Sequence, residues 1–151
     1  MGRNNKTAPY VKRLSNLIII TNDERTKEAI HTALSKSYLY NGNYNKAIRI
    51  IFPLIPQKVK RYTDQPTYTN RIQLGNSYAN LGNMYLQIVQ YVKETNSLND
   101  ALPLLHDYIG ATVRVQNSLI ETYLRRELID SALICYNKVY LANSNLNKFY
   151  E

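Results

Sequence analysis

A short set of residues recurs three times along this chain at the spacing of a helix–turn–helix unit, and such recurrence constrains the architecture before any single residue is interpreted. The clearest copy holds Leu34, Ser35, Tyr38, Gly42, Tyr44 and Ala47. A second holds Tyr78, Leu81, Gly82 and Tyr85, with Ala101 and Leu102 further on. A third runs from Leu119, Ile120 and Tyr123 to Ala132 and Leu133. The physical logic is one of packing. Small residues let two helices approach, Tyr fills the groove between them, and Gly reverses the chain.

The periodicity between these marks is helical. Ala29, Ala33, Leu34, Ser37 and Tyr38 lie at three- and four-residue steps, with Thr21 or Asn22 as the expected N-cap. Asn41-Gly42-Asn43 should stop that helix, and Asn43 or Asn45 can cap the next. Pro53 and Pro56 should kink or end the second helix, because each removes an amide donor. A long helix is expected from about Tyr68 to Val92, then a polar loop Glu94–Asp100 and a helix with Pro103 near its start. Two more helices are expected from Ala111 to about Leu146, broken near Glu127 to Asp130. Residues Met1–Lys12 are polar and basic, and a frayed end is expected. Leu14–Ile20 reads as the end of a helix packed on the first repeat, giving a basic, partly ordered cap over residues 1–20 and a repeat domain over 21–151. No period-two pattern persists, so the expected class is all-α.

These marks resemble the tetratricopeptide repeat, a helix–turn–helix unit of about 34 residues. In that pattern Ala follows Tyr by nine positions, as Ala47 follows Tyr38 and Ala132 follows Tyr123. In the second copy Ala101 lies sixteen beyond Tyr85, which implies a seven-residue insertion in the turn. The resemblance covers about residues 26 to 146. It implies a right-handed superhelical stack of about three hairpins, an α-solenoid of tetratricopeptide type. It also implies that the first helix of each pair lines a concave groove, with Lys36, Tyr40, Asn76, Asn80, Asn83, Gln87, Thr122 and Arg126 as candidate groove residues.

Composition agrees with one globular domain: 151 residues, 44% hydrophobic and 20% charged. Tyr occurs 14 times against two Phe and no Trp, so Tyr carries the aromatic volume, its hydroxyl still able to reach water. The net charge of +8 raises nucleic-acid binding as the competing reading. Its clusters are Arg3, Lys6, Lys12 and Arg13 at the start and Lys58, Lys60 and Arg61 before Tyr62. The single Cys135 excludes an internal disulfide and fits a reducing compartment. Leu14–Ile20 is far shorter than the about 20 apolar residues a spanning helix needs, so a soluble, cytoplasmic chain with no membrane role is expected.

Catalytic groups are sparse. His31 and His106 stand apart, and neither joins a Cys or carboxylate pair at metal-ligand spacing. His31 reads as a half-buried packing residue, and His106-Asp107 as a dyad without a nucleophile. Gly75-Asn76-Ser77 and Gly82-Asn83 lack the spacing of a phosphate loop. No enzyme activity, cofactor or metal is expected. The expected role is an adaptor or regulatory scaffold that binds a peptide or helix of another protein. The alternatives are a small basic nucleic-acid-binding protein and a homo-oligomer paired through its end helices.

Overall fold

The computed structural model describes residues 8–147, with side chains described for residues 9–140. Arg3, Lys6 and the tail Lys148–Glu151 lie outside them. Every element is helical: α1 (Ala8–Ile20), α2 (Glu24–Tyr40), α3 (Tyr44–Ile51), α4 (Ile55–Asp64), α5 (Tyr68–Gln87), α6 (Tyr91–Leu105), α7 (Ile109–Arg125) and α8 (Ile129–Asn147). No strand occurs among the described residues. Packing runs mainly between neighbours in sequence, α1 on α2, α2 on α3, α4 on α5, α5 on α6, α6 on α7 and α7 on α8. None of these helices is long and apolar enough to cross a membrane.

The N-terminal helix is more regular than its composition suggests, since Ala8–Lys12 already lie in α1. It packs on α2, as expected for Leu14–Ile20. The cap of α2 is Asp23 and not Thr21 or Asn22: its carboxylate accepts from the Thr26 amide at 2.7 Å and the Thr26 hydroxyl at 2.5 Å. At α5 the cap is Thr67, whose hydroxyl accepts from the Asn70 amide at 3.2 Å.

Three turns share one geometry. After Tyr38, Tyr85 and Tyr123 the chain passes through Gly42, Val89 and Glu127, with φ of 73°, 61° and 58°. In each, the amide one residue further on (Asn43, Gln90, Leu128) donates to the Tyr carbonyl at 2.9 Å. The left-handed residue itself donates to the carbonyl of Leu39, Leu86 or Leu124. This pair of bonds satisfies helix-end carbonyls that would otherwise be orphaned. The next helix then begins six residues past the Tyr, at Tyr44, Tyr91 and Ile129.

The second hairpin therefore corrects the sequence reading. There is no insertion in its turn: Glu94–Asp100 is helix, α5 stops at Gln87, and Pro103 lies inside the last turn of α6. The residue nine past Tyr85 is Glu94, not Ala, and Ala101 takes the place of Leu54 and Val139 sixteen past their own Tyr. The long interval between the first two units comes from the second arm of the first hairpin. There Phe52–Leu54 forms a single 3-10 turn at Pro53, after which α4 continues to Asp64. The prolines redirect the arm without ending it.

Val89 is a β-branched residue in a backbone conformation that costs L-residues about 1–2 kcal/mol, and its side chain is exposed. Val89→Gly should therefore raise stability by about 1 kcal/mol, after the entropy cost of Gly in the unfolded chain. A urea midpoint that falls in the variant would contradict this.

Two apolar clusters form the core. The first gathers Ala47, Ile51, Leu54 and Ile55 against Leu81, Met84 and Tyr85. The second gathers Leu98, Ala101 and Leu105 against Ala111, Val115, Leu119 and Cys135. The small residues of α5 explain how α6 approaches it. A Cβ at Gly82 would stand 2.6 Å from Cδ2 of Leu98, and one at Gly75 would stand 2.7 Å from Cγ of Leu105. Both leucines are fully buried and have no room to yield.

Candidate functional site

Along α2 the residues Arg25, Ala29, Thr32, Lys36 and Tyr40 recur at three- and four-residue steps and share one face. Along α5 the corresponding face carries Thr69, Gln73, Asn76, Asn80 and Asn83. These faces look onto a trough made of two adjoining cavities. One, of about 510 Å³, lies between α2 and α5 and is lined also by Lys58 and Arg61 of α4. The other, of about 370 Å³, is lined by Lys36, Tyr40, Asn76, Asn80, Asn83 and, from α7, Arg114. Lys36 stands on the wall of both.

Five of the eight residues expected in a groove thus share one cavity: Lys36, Tyr40, Asn76, Asn80 and Asn83. The other three do not line it. Gln87 ends α5 on the exposed surface, and Arg126 caps the C-terminal end of α7. Thr122 is fully buried and donates to the Ser118 carbonyl at 2.9 Å, so it presents nothing to a partner. It continues the buried α7 stripe of Ala111, Val115 and Leu119. Within the trough Asn83 is already engaged, its amide oxygen accepting from the Ser118 hydroxyl at 2.8 Å.

Sequence reasoning missed the charged floor. Glu28 is buried and meets two cations: Lys58 Nζ lies 3.0 Å from its Oε1 and Arg61 Nη2 2.5 Å from its Oε2. Burial alone would raise the Glu28 carboxyl, but hydrogen bonds and charge from Arg61 and Lys58 outweigh it and hold the pKa below the ordinary value. The Lys58-Lys60-Arg61 cluster is therefore split, with Lys58 turned into the protein and Lys60 exposed.

Titratable groups away from the trough are spent on structure or isolated. Arg71 pairs with Asp107 and donates to the Leu104 carbonyl at 3.0 Å. Its guanidinium also lies 3.1 Å from His106 Nδ1, so Asp107 neutralises an arginine and does not orient the histidine. His31 is half-buried, as its position in the first unit suggests. Cys135 is buried, and burial pushes its thiol up. No cluster of three or more His, Cys, Asp or Glu capable of holding a metal ion occurs among the described residues.

Glu94 differs from all of these. It is completely buried beside α5 and α7, and neither carboxylate oxygen has a hydrogen-bond donor. The nearby Thr122 hydroxyl has given its proton to Ser118, leaving lone pairs that suit a protonated acid. Burial raises the Glu94 carboxyl to about 7, the charge of Glu121 adding to the rise and that of Arg126 opposing it. Ala47 and Ala132, its counterparts in the other hairpins, are buried without any such cost.

No family model matches the chain, and no curated protein or solved structure matches it either.

Proposed function

We propose that the protein is an interaction module of tetratricopeptide type, an adaptor or regulatory scaffold. On this reading its hairpins stack as a short right-handed solenoid and hold an extended segment of another protein in the trough between α2, α5 and α7. The observation that carries this is the cavity lined together by Lys36, Tyr40, Asn76, Asn80 and Asn83. Amide side chains repeating along one face of α5 can exchange donors and acceptors with an extended peptide backbone, beside apolar wall from Ala79, Leu105, Ala111 and Val115. Three hairpins with matching turns supply the repeated scaffold such a surface needs.

Because Asn83 also ties α5 to Ser118 of α7, the informative variant is Asn76→Ala/Asn80→Ala, which leaves that bond intact. In affinity capture from native lysate, proteins retained by the wild type should be lost from the variant at unchanged thermal stability. An identical set of retained proteins removes the groove assignment.

Nucleic-acid binding is the second reading, favoured by Arg25, Lys36, Lys58, Arg61 and Arg114 all lining the trough. Only one aromatic residue, Tyr40, joins them, whereas single-strand grooves stack successive bases on several. Mobility shifts at about 50 and about 200 mM salt separate the readings, since phosphate contacts give steeply salt-dependent affinity. Under the protein-binding reading no shift appears at the lower salt.

A further inference from the structure

The α2–α4–α5 end of the trough has an excess of positive charge that the fold does not use. Four cationic side chains line the 510 Å³ cavity, Arg25, Lys36, Lys58 and Arg61, against one carboxylate, Glu28. Glu28 offsets a single charge, and both of its oxygens are occupied by Lys58 and Arg61. Neither Arg25 nor Lys36 makes an ion pair among the described residues, and both are exposed at the rim. The uncharged lining beside them is mixed: Thr69, Asn70 and Gln73 of α5 and Thr32 of α2 are polar, and Ala29 and Ala33 of α2 are apolar. Thr32 has donated its hydroxyl proton to the Glu28 carbonyl and Asn70 one of its two amide hydrogens to the Gln65 carbonyl, which leaves Thr69, Gln73 and the second Asn70 hydrogen as the uncharged donors on this wall.

We propose that this end of the trough is a binding site for a phosphoryl dianion. The net charge of the lining exceeds what one carboxylate would neutralise, and a phosphate monoester brings up to two charges on three acceptor oxygens. Arg25 and Lys36 stand on the rim of the cavity whose floor holds Arg61, itself kept in place by Glu28. The Glu28–Lys58–Arg61 cluster orients that floor and is not expected to open. Two sources present the same chemistry, a phosphorylated side chain on a bound segment and a free phosphate ester. The site extends the groove reading to one end of the trough, and rests on it only for the first source.

The test uses the full chain, with inorganic phosphate, a phosphoserine peptide and its unphosphorylated counterpart as probes. Amide chemical shifts locate binding, and calorimetry measures it. Phosphate should shift the amides of Arg25, Lys36, Thr69 and Gln73, and Arg25→Ala/Lys36→Ala should weaken binding by about tenfold or more at an unchanged urea midpoint. A phosphopeptide that binds more tightly than phosphate, and more tightly than its unphosphorylated form, supports the site and makes a protein segment the source. Equal affinity for phosphate and phosphopeptide supports the site with a free ester as source. Absence of a phosphate response, an unphosphorylated peptide that binds as well, or a double variant that binds like the wild type overturns it. Asn76→Ala/Asn80→Ala should leave phosphate binding intact. Loss of captured protein in that variant, with no phosphate response in the wild type, would sink the anion site alone.

Discussion

Above pH 7, Glu94→Gln is expected to stabilise the protein by about 3 kcal/mol, while near pH 4 the two proteins should unfold alike. The carboxyl titrates at about 7 in the folded chain against 4.5 as its ordinary value. A group whose folded pKa is raised contributes stability that is complete below the unfolded value. That contribution is lost as pH rises through the folded one, here between 4.5 and about 7. Gln keeps the volume, so no cavity confuses the comparison, and its amide can donate to the same Thr122 oxygen that suits a protonated acid. Urea unfolding at a series of pH values reads the effect directly. Curves that stay parallel across that window would show that the carboxylate finds solvent or a cation when it ionises.

The second large effect has the opposite sign. Glu28→Gln removes the countercharge of a lysine whose side chain is only 7% exposed, and a buried pair broken on one side typically costs about 3–5 kcal/mol. Replacing both partners, as in Glu28→Leu/Lys58→Met, should recover most of that loss, because no uncompensated charge then remains. A single variant as stable as the wild type would mean that Lys58 swings out to water. In acid the same group behaves in reverse of Glu94. Its pKa is held below the ordinary 4.5, so its contribution is present above that value and lost as pH falls through the folded one. Of the two, Glu28 adds stability as pH rises past its folded value, and Glu94 withdraws it as pH approaches 7.

The first hairpin was legible because its letters obey local rules: Gly42 occupies a left-handed position and Ala47 a contact with no room for more. The second was misread because neither rule holds there. Val89 takes the left-handed slot, the turn being held by two backbone bonds that no side chain announces. Glu94 takes the buried slot, where a carboxylate argues for solvent on any local reading. In the trough, the Asn76–Asn80–Asn83 stripe could be seen from helical spacing alone. Thr122 could have been set aside the same way, since it extends a run of apolar α7 positions. The ion cluster could not be seen. Lys58 and Arg61 stand some thirty residues from Glu28, and their meeting depends on the direction α4 takes after the 3-10 turn at Pro53.

The division of the core into two clusters gives the middle hairpin a double duty. Leu81, Met84 and Tyr85 face back toward α3 and α4, while Leu98, Ala101 and Leu105 face forward toward α7. The first hairpin is held between α1 and the α5–α6 pair, whereas among the described residues the last is held by the α5–α6 pair alone. Loss of α5 or α6 would strip both at once. The α5–α6 pair is the keystone of the chain, and Glu94 belongs to it, its backbone carbonyl against Gly82 and its carboxyl toward Thr122 of α7. A proton on Glu94 therefore acts on the one pair of helices to which both halves of the molecule are fastened.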